Sequence, residues 1–163
     1  MDKLDKLALE AFPPNEYLAP KKIIELSNKG ELDFLALYDG ATFIGFLVVK
    51  VYKQMAYLFF LAIDPLLRSL GYGSKAIKIF KEKYKNYECV LDLEKIDKNS
   101  LNFEQRKRRK AFYCRNGFKE TNQFIRYNNE DYEVLSLSDK FDLNLFKKML
   151  FAINVNNFHP EFL

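Results

Sequence analysis

Residues 58–76 read LFFLAIDPLLRSLGYGSKA, and their order decides the fold. An apolar run through Ile63 ends at Asp64-Pro65, the turn Arg68-Ser69-Leu70-Gly71-Tyr72-Gly73 follows, and a helical pattern opens at Ser74. A strand that turns through glycines into a helix start gathers several free backbone N–H groups at one point. The helix dipole adds positive charge there, so the turn suits a phosphate or pyrophosphate. Gly71 and Gly73 are expected to let a ligand approach the main chain where no side chain stands in the way. The spacing is neither the G-x-G-x-x-G of a dinucleotide fold nor the Gly-Lys-Ser/Thr ending of a P-loop.

Bulk properties narrow the class. With 163 residues the chain is expected to form a single domain, 1–163, large enough for a real core. No stretch reaches the roughly 18 apolar residues of a membrane span, and MDKLDKLALE lacks a signal-peptide apolar region. Two cysteines, Cys89 and Cys114, are too few for a disulfide framework or zinc spacing, which points to a reduced, cytoplasmic protein without metal. The single histidine, His159, argues against a histidine triad. A net charge of +4 suits an anionic cofactor but falls short of a dedicated nucleic-acid binder.

Working outward from the turn, Leu4, Leu7, Ala8 and Ala11 predict a helix ended by Pro13-Pro14, and residues 21–28 a second helix. Residues 34–38 and 43–52 predict a hairpin around Asp39-Gly40, with a third strand over 56–63. A helix over 74–84, a strand over 89–93 and a helix over 103–114 come next. In the last of these Phe103, Ala111 and Cys114 are expected to face inward, with Gly117 as cap. A late hairpin around Asn128-Asn129 and a helix over 142–153 complete the pattern. The expected fold is α/β (α+β): a mixed sheet covered by helices, with a parallel strand pair flanking the helix after the turn.

The Arg-x-x-Gly-x-Gly turn resembles the acyl-coenzyme A pyrophosphate loop of the GNAT N-acetyltransferase superfamily. A second segment, Ala111-Phe112-Tyr113-Cys114-Arg115-Asn116-Gly117-Phe118, resembles that family's Phe-Tyr-x-x-x-Gly-Phe phrase. Together the motifs span residues 34–137, with a C-terminal helix and tail over 139–163. The resemblance implies a mostly antiparallel sheet with helices on both faces, and acetyl-coenzyme A as co-substrate. It implies that Leu61, Ala62 and Ile63 pair with the pantetheine arm and supply an oxyanion-binding N–H. Arg68, Ser69, Leu70, Gly71, Tyr72, Gly73 and Ser74 would wrap the pyrophosphate, and Tyr113 would protonate the departing thiolate. Where family members often carry a cofactor-binding asparagine, seven residues before the tyrosine, this chain has Arg106. The helical pattern also begins almost at Met1, where the family has an edge strand first; either that strand is missing or the encoded start is short.

An alkyl amine must lose a proton before it attacks a thioester. Strand alternation puts Asp92 and Glu94 on one face, Cα atoms roughly 7 Å apart, at the strand end where the acyl group would sit. Either carboxylate as general base, or both as exposed acids paired with lysines, are the two readings of that strand. The resemblance makes Glu16 a weaker candidate for binding a substrate cation. Five basic residues, Arg106 to Lys110, cover every side of a helix; one or two would reach cofactor phosphates and the rest would be solvated.

The expected reaction is acetyl transfer from acetyl-coenzyme A to a primary amine, of a small molecule or a peptide, by direct attack in a ternary complex. A non-catalytic acyl-coenzyme A sensor or scaffold is the alternative, and a small nucleic-acid-binding domain a lesser one. No membrane or nucleic-acid partner is expected. Phe141, Leu145 and Phe146 are expected in the core, with a homodimer contact as the other reading. Phe158 and Phe162 are expected to pack back on the body or on a neighbour.

Overall fold

The computed structural model describes residues 20–153 and 160–163. Helix α1 (Pro20–Asn28) leads into three antiparallel strands, β1 (Asp33–Asp39), β2 (Thr42–Tyr52) and β3 (Met55–Ile63). A 3-10 turn (Pro65–Leu67) and helix α2 (Tyr72–Lys83) cross to β4 (Glu88–Glu94), which lies parallel to β3. Helix α3 (Phe103–Arg115), the hairpin β5 (Lys119–Tyr127) and β6 (Glu130–Ser136), helix α4 (Leu143–Phe151) and the short β7 (Glu161–Phe162) follow. Among the described residues the sheet has seven strands in the order β1-β2-β3-β4-β6-β5-β7, antiparallel except at β3–β4. The N-terminal helix and the question of an edge strand before it both fall on residues outside those described.

Turn chemistry closes the hairpins. Asn128 and Asn129 both take positive φ, 51° and 59°, the geometry whose twist matches flanking strands. Helix α4 is capped by Asp142, whose carboxylate accepts from the Leu145 N–H at 2.9 Å.

Alternation along β2 sorts the core into two layers. Leu47 and Val49 meet Ile77 and Phe80 of α2, with Phe112 and Tyr113 of α3 against the same cluster. On the other face Phe46 and Val48 join Leu26 of α1, and Met55, Tyr57 and Val90 pack on Phe146, Met149 and Leu150 of α4. Helices therefore cover both faces, as the family resemblance implies. Phe146 is fully buried, while Phe141 and Leu145 pack partly buried against the α4 cluster, so this stripe is core rather than an open contact surface. Phe162 pairs with Ile125 on β5 and joins the α4 cluster, so the tail packs back on the body; Phe158 lies outside the described residues.

Helix α3 departs from expectation. Ala111 and Cys114 are exposed, and the most deeply buried residue of α3 is Arg106, with Tyr113 partly covered against the core. The face toward the sheet carries Arg106, Arg109, Lys110 and Tyr113, successive positions of a 3.6-residue stripe. Glutamates answer these cations: Glu94 and Glu130 hold Arg106, and Glu120 and Glu133 hold Lys110. The basic run is thus not simply solvated. Lys107 and Arg108 are its exposed members.

Candidate active site

The parallel ladder between β3 and β4 covers only Met55–Tyr57 against Glu88–Val90. Beyond it the two strands diverge, although each stays paired on its outer edge, β3 with β2 through Ile63 and β4 with β6 through Glu94. A β-bulge drives the divergence. Val48 faces Phe60 and Val49 faces Leu58, so Phe59 is an extra residue that bends β3. As a result Phe59 and Phe60 touch, ring centres 4.4 Å apart, on the same face. The bend presses β3 onto β2, where a Cβ on Gly45 would lie 2.0 Å from the Ala62 carbonyl oxygen. Over Leu61, Ala62 and Ile63 the strand edge that faces β4 has no ladder partner, so it opens on a wedge whose other wall is β4, a place where an extended ligand arm completes the ladder.

At the end of β3, Asp64 accepts from the Leu66 N–H at 3.0 Å and turns the chain outward. The Arg68 Nε donates back to the Ile63 carbonyl at 3.3 Å. Ser69 and Gly71 take positive φ, 63° and 84°, and Gly71 is the N-cap of α2. Among the described residues no side chain caps this helix; its first turn closes through Lys75 N–H to Gly71 O at 3.2 Å. The N–H groups of Tyr72, Gly73 and Ser74 are left to a ligand, with the helix dipole behind them.

Beyond the ligand approach expected at both, the two glycines have different local reasons. Around Gly71 a Cβ would meet nothing within 4 Å, and its left-handed backbone is what favours glycine. Gly73 is bare because the Phe112 ring needs the space: a Cβ there would stand 3.1 Å from Cζ. Asn116 donates to the Ser74 hydroxyl at 3.3 Å, so α3 packs directly against the loop. The Tyr72 hydroxyl donates to Asp39 at 2.7 Å, which ties the loop to the β1–β2 hairpin, and Leu70 is exposed.

Tyr113 ends α3 in a way that explains its motif. Phe118 N–H donates to the Tyr113 carbonyl at 3.1 Å, Gly117 carries φ 97°, and the Tyr113 and Phe118 rings stand 5.8 Å apart. This is a Schellman cap with its apolar contact, so the Tyr-x-x-x-Gly-Phe spacing fixes where the phenol sits. Burial pushes the Tyr113 phenol up to about 12; the Arg109 guanidinium opposes that rise and the Asp92 carboxylate adds to it. The Asp92 carboxylate is thus near enough for its charge to reach the phenol.

Asp92 and Glu94 share a strand face but not an environment. Asp92 accepts from the Tyr57 hydroxyl at 2.7 Å, and burial pushes its carboxyl up to about 7 against that hydrogen bond. Glu94, 8 % exposed, meets Arg106 at 2.9 Å and Arg109 at 3.4 Å and accepts from Asn102. Neither is an exposed acid paired with lysines, which corrects that reading. Arg106 spends its donors on Glu94, Glu130, the Lys95 carbonyl and Asn102, so its guanidinium is held among the protein's own acceptors, against the expectation of a phosphate contact. Glu16 lies outside the described residues. Sequence reasoning missed Tyr57 and Arg109. Tyr57 gave no signal, because the β3–β4 register that faces it to Asp92 is a long-range pairing; Arg109 was hidden within a basic run.

Comparison with known proteins agrees with this architecture. A GNAT-family acetyltransferase from Bacteroides thetaiotaomicron superposes with a TM-score of 0.71 at 23% identity, covering 90% of this chain and 84% of that one. The ribosomal-protein-S18-alanine N-acetyltransferase of Escherichia coli gives 0.59 at 21% identity, over 86% and 87%. An aminoglycoside 6'-N-acetyltransferase complexed with coenzyme A gives 0.63 at 16% identity, over 86% and 92%. These likenesses speak to fold. No curated protein sequence matches the chain at a significant level. The sequence model of the acetyltransferase (GNAT) family matches residues 1–118. With a family match over most of its length, a wedge between parallel strands and an uncapped loop-to-helix turn at its mouth, this chain belongs to the GNAT acetyltransferase family.

Proposed function

We propose that the protein transfers an acetyl group from acetyl-coenzyme A to a primary amine by direct attack in a ternary complex. The observation that supports this reading is the β3–β4 wedge, whose ladder ends at Tyr57 and Val90, with the uncapped Tyr72–Ser74 turn at its mouth. The pyrophosphate binds the Tyr72, Gly73 and Ser74 N–H groups, and the pantetheine arm runs along the free edge of Leu61–Ile63. An N–H of that edge takes the charge that develops on the thioester oxygen.

Of the two carboxylates, Asp92 is the base. A group with pKa near 7 holds enough deprotonated form at neutral pH and binds the proton it receives. Glu94 already neutralises two arginines and serves to hold α3. The alkylammonium gives its extra proton to solvent, and as the neutral nitrogen bonds to the carbonyl carbon its N–H proton passes to Asp92. As the C–S bond breaks, the thiolate takes the Tyr113 hydroxyl proton. The neutral phenol is available because burial keeps it protonated well above neutral pH.

The test is Tyr113→Phe, assayed by thiol release and by calorimetric titration with coenzyme A. The expected result is a fall in turnover of about a hundredfold or more with coenzyme A affinity within a few-fold of the parent. Equal turnover in both proteins, or loss of coenzyme A binding alone, refutes the role. Absence of thiol release with every amine, coenzyme A binding intact, favours the non-catalytic sensor.

A further inference from the structure

Past Glu94 the β4–α3 loop and the tip of the β5–β6 hairpin enclose a polar cleft of about 700 Å³. Arg106 lies at its wall, and the cleft begins only three residues beyond Asp92, roughly 10 Å along an extended strand. Four cations line it, Lys95, Lys98, Arg106 and Arg126, against three acids, Asp97, Glu130 and Asp131. Their pairing is uneven. Arg106 is bound to Glu130 at 2.8 Å, and Arg126 to Asp131 at 2.6 Å. The Asp97 carboxylate turns back onto the Asn99 N–H at 2.9 Å. Lys95 and Lys98 have no carboxylate within ion-pair range among the described residues. Lys95 is not a free-swinging cation either: its ammonium sits 5.1 Å above the Phe124 ring. The cleft thus keeps positioned positive charge outside any direct ion pair: Lys95 acts on the Asp131 carboxylate only at longer range, and that acid is bound to Arg126.

We propose that this cleft holds the carboxylate of the acceptor, so that the enzyme acetylates amines which also bear an acid group, such as ω-amino acids or peptides. The inference rests on the acetyl-transfer reading above and names its acceptor class. The buried carboxylate nearest the cleft, Glu94, is already spent on Arg106 and Arg109, and what remains unanswered is positive. A polyamine would bring further positive charge to Lys95 and Lys98. A carboxylate there would leave its amine reaching back along β4 toward Asp92.

Thiol release is measured with 6-aminohexanoate, its amide and cadaverine, which differ in the group at one end. The acid is expected to be used about tenfold more efficiently than the amide, and cadaverine least, with the preference shrinking as salt is raised. The double variant K95M/K98M is expected to raise KM for the acid about tenfold and flatten the ratio. Lys78→Met, on the exposed side of α2, leaves that ratio in place. A preference for the amide or cadaverine, or an acid preference untouched by K95M/K98M, overturns the proposal. Calorimetric titration with 6-acetamidohexanoate reads the anion site without turnover. Binding that K95M/K98M abolishes supports the cleft even where no amine is acetylated, an outcome that would refute the acetyl-transfer reading alone; no binding to the parent protein overturns the cleft.

Discussion

Replacing Asp92 by Asn separates catalysis from stability, because the structure asks the two to move in opposite directions. Asn keeps the shape and still accepts from the Tyr57 hydroxyl, but it neither takes a proton nor carries charge. A positioned general base is worth about 10² to 10⁴ in rate, or roughly 3 to 5 kcal/mol of barrier, so kcat/KM should fall by that factor. In the parent enzyme, activity should fall about tenfold per pH unit below the Asp92 pKa of about 7, and that acid limb should vanish in D92N. Folding raises this carboxyl from 3.8 to about 7, so the folded chain holds a proton that the unfolded chain has released between those values. Stability from this group is full below the lower value and is lost as pH rises through the upper one, at about 1.4 kcal/mol per unit. The whole window amounts to at most ~4 kcal/mol. D92N escapes that loss, so urea unfolding near pH 8 should show it more stable than the parent by at least about 1 kcal/mol. The advantage should shrink as pH falls toward 5. A D92N variant that keeps parental turnover, or that is less stable than the parent near pH 8, would refute the reasoning.

Tyr57→Phe removes a hydrogen bond that favours the Asp92 carboxylate, so the acid limb of the thiol-release profile should move to higher pH. An unmoved limb would remove Asp92 from the rate equation. Arg106→Met leaves Glu94 and Glu130 without their buried partner and should cost about 3–5 kcal/mol in urea unfolding. Adding Glu94→Leu should restore part of that loss, so a double variant whose cost is simply additive would show that the pair does not hold α3. Gly71→Ala forces a side chain into left-handed backbone and should destabilise by about 1–2 kcal/mol. It should also raise the dissociation constant of coenzyme A measured by calorimetry, and unchanged affinity would move the phosphate site elsewhere.

The local signals were strong enough to read from the chain. The Asp39-Gly40 and Asn128-Asn129 turns, the strand–glycine–helix order over 58–76 and the Phe146, Met149, Leu150 stripe each depend on neighbours a few residues apart. Such preferences act through φ, periodicity and capping, so a single sequence displays them. Tyr113 belongs to the same class, since its position is set by a cap four residues on.

The division of labour between Asp92 and Glu94 was not legible in this way. Both are acids on one strand face, and only the chain's return through α3 sets Arg106 and Arg109 against Glu94 while the parallel strand sets Tyr57 against Asp92. The inward face of α3 was misread for the same reason. Arginine and lysine count as solvent-facing until distant glutamates on β4 and β6 are brought beneath them. The wedge itself arises from one extra residue, Phe59, whose effect exists only relative to the register of β2. Backbone preference is local and therefore written along the chain, whereas charge pairing, desolvation and strand register are properties of what ends up beside what.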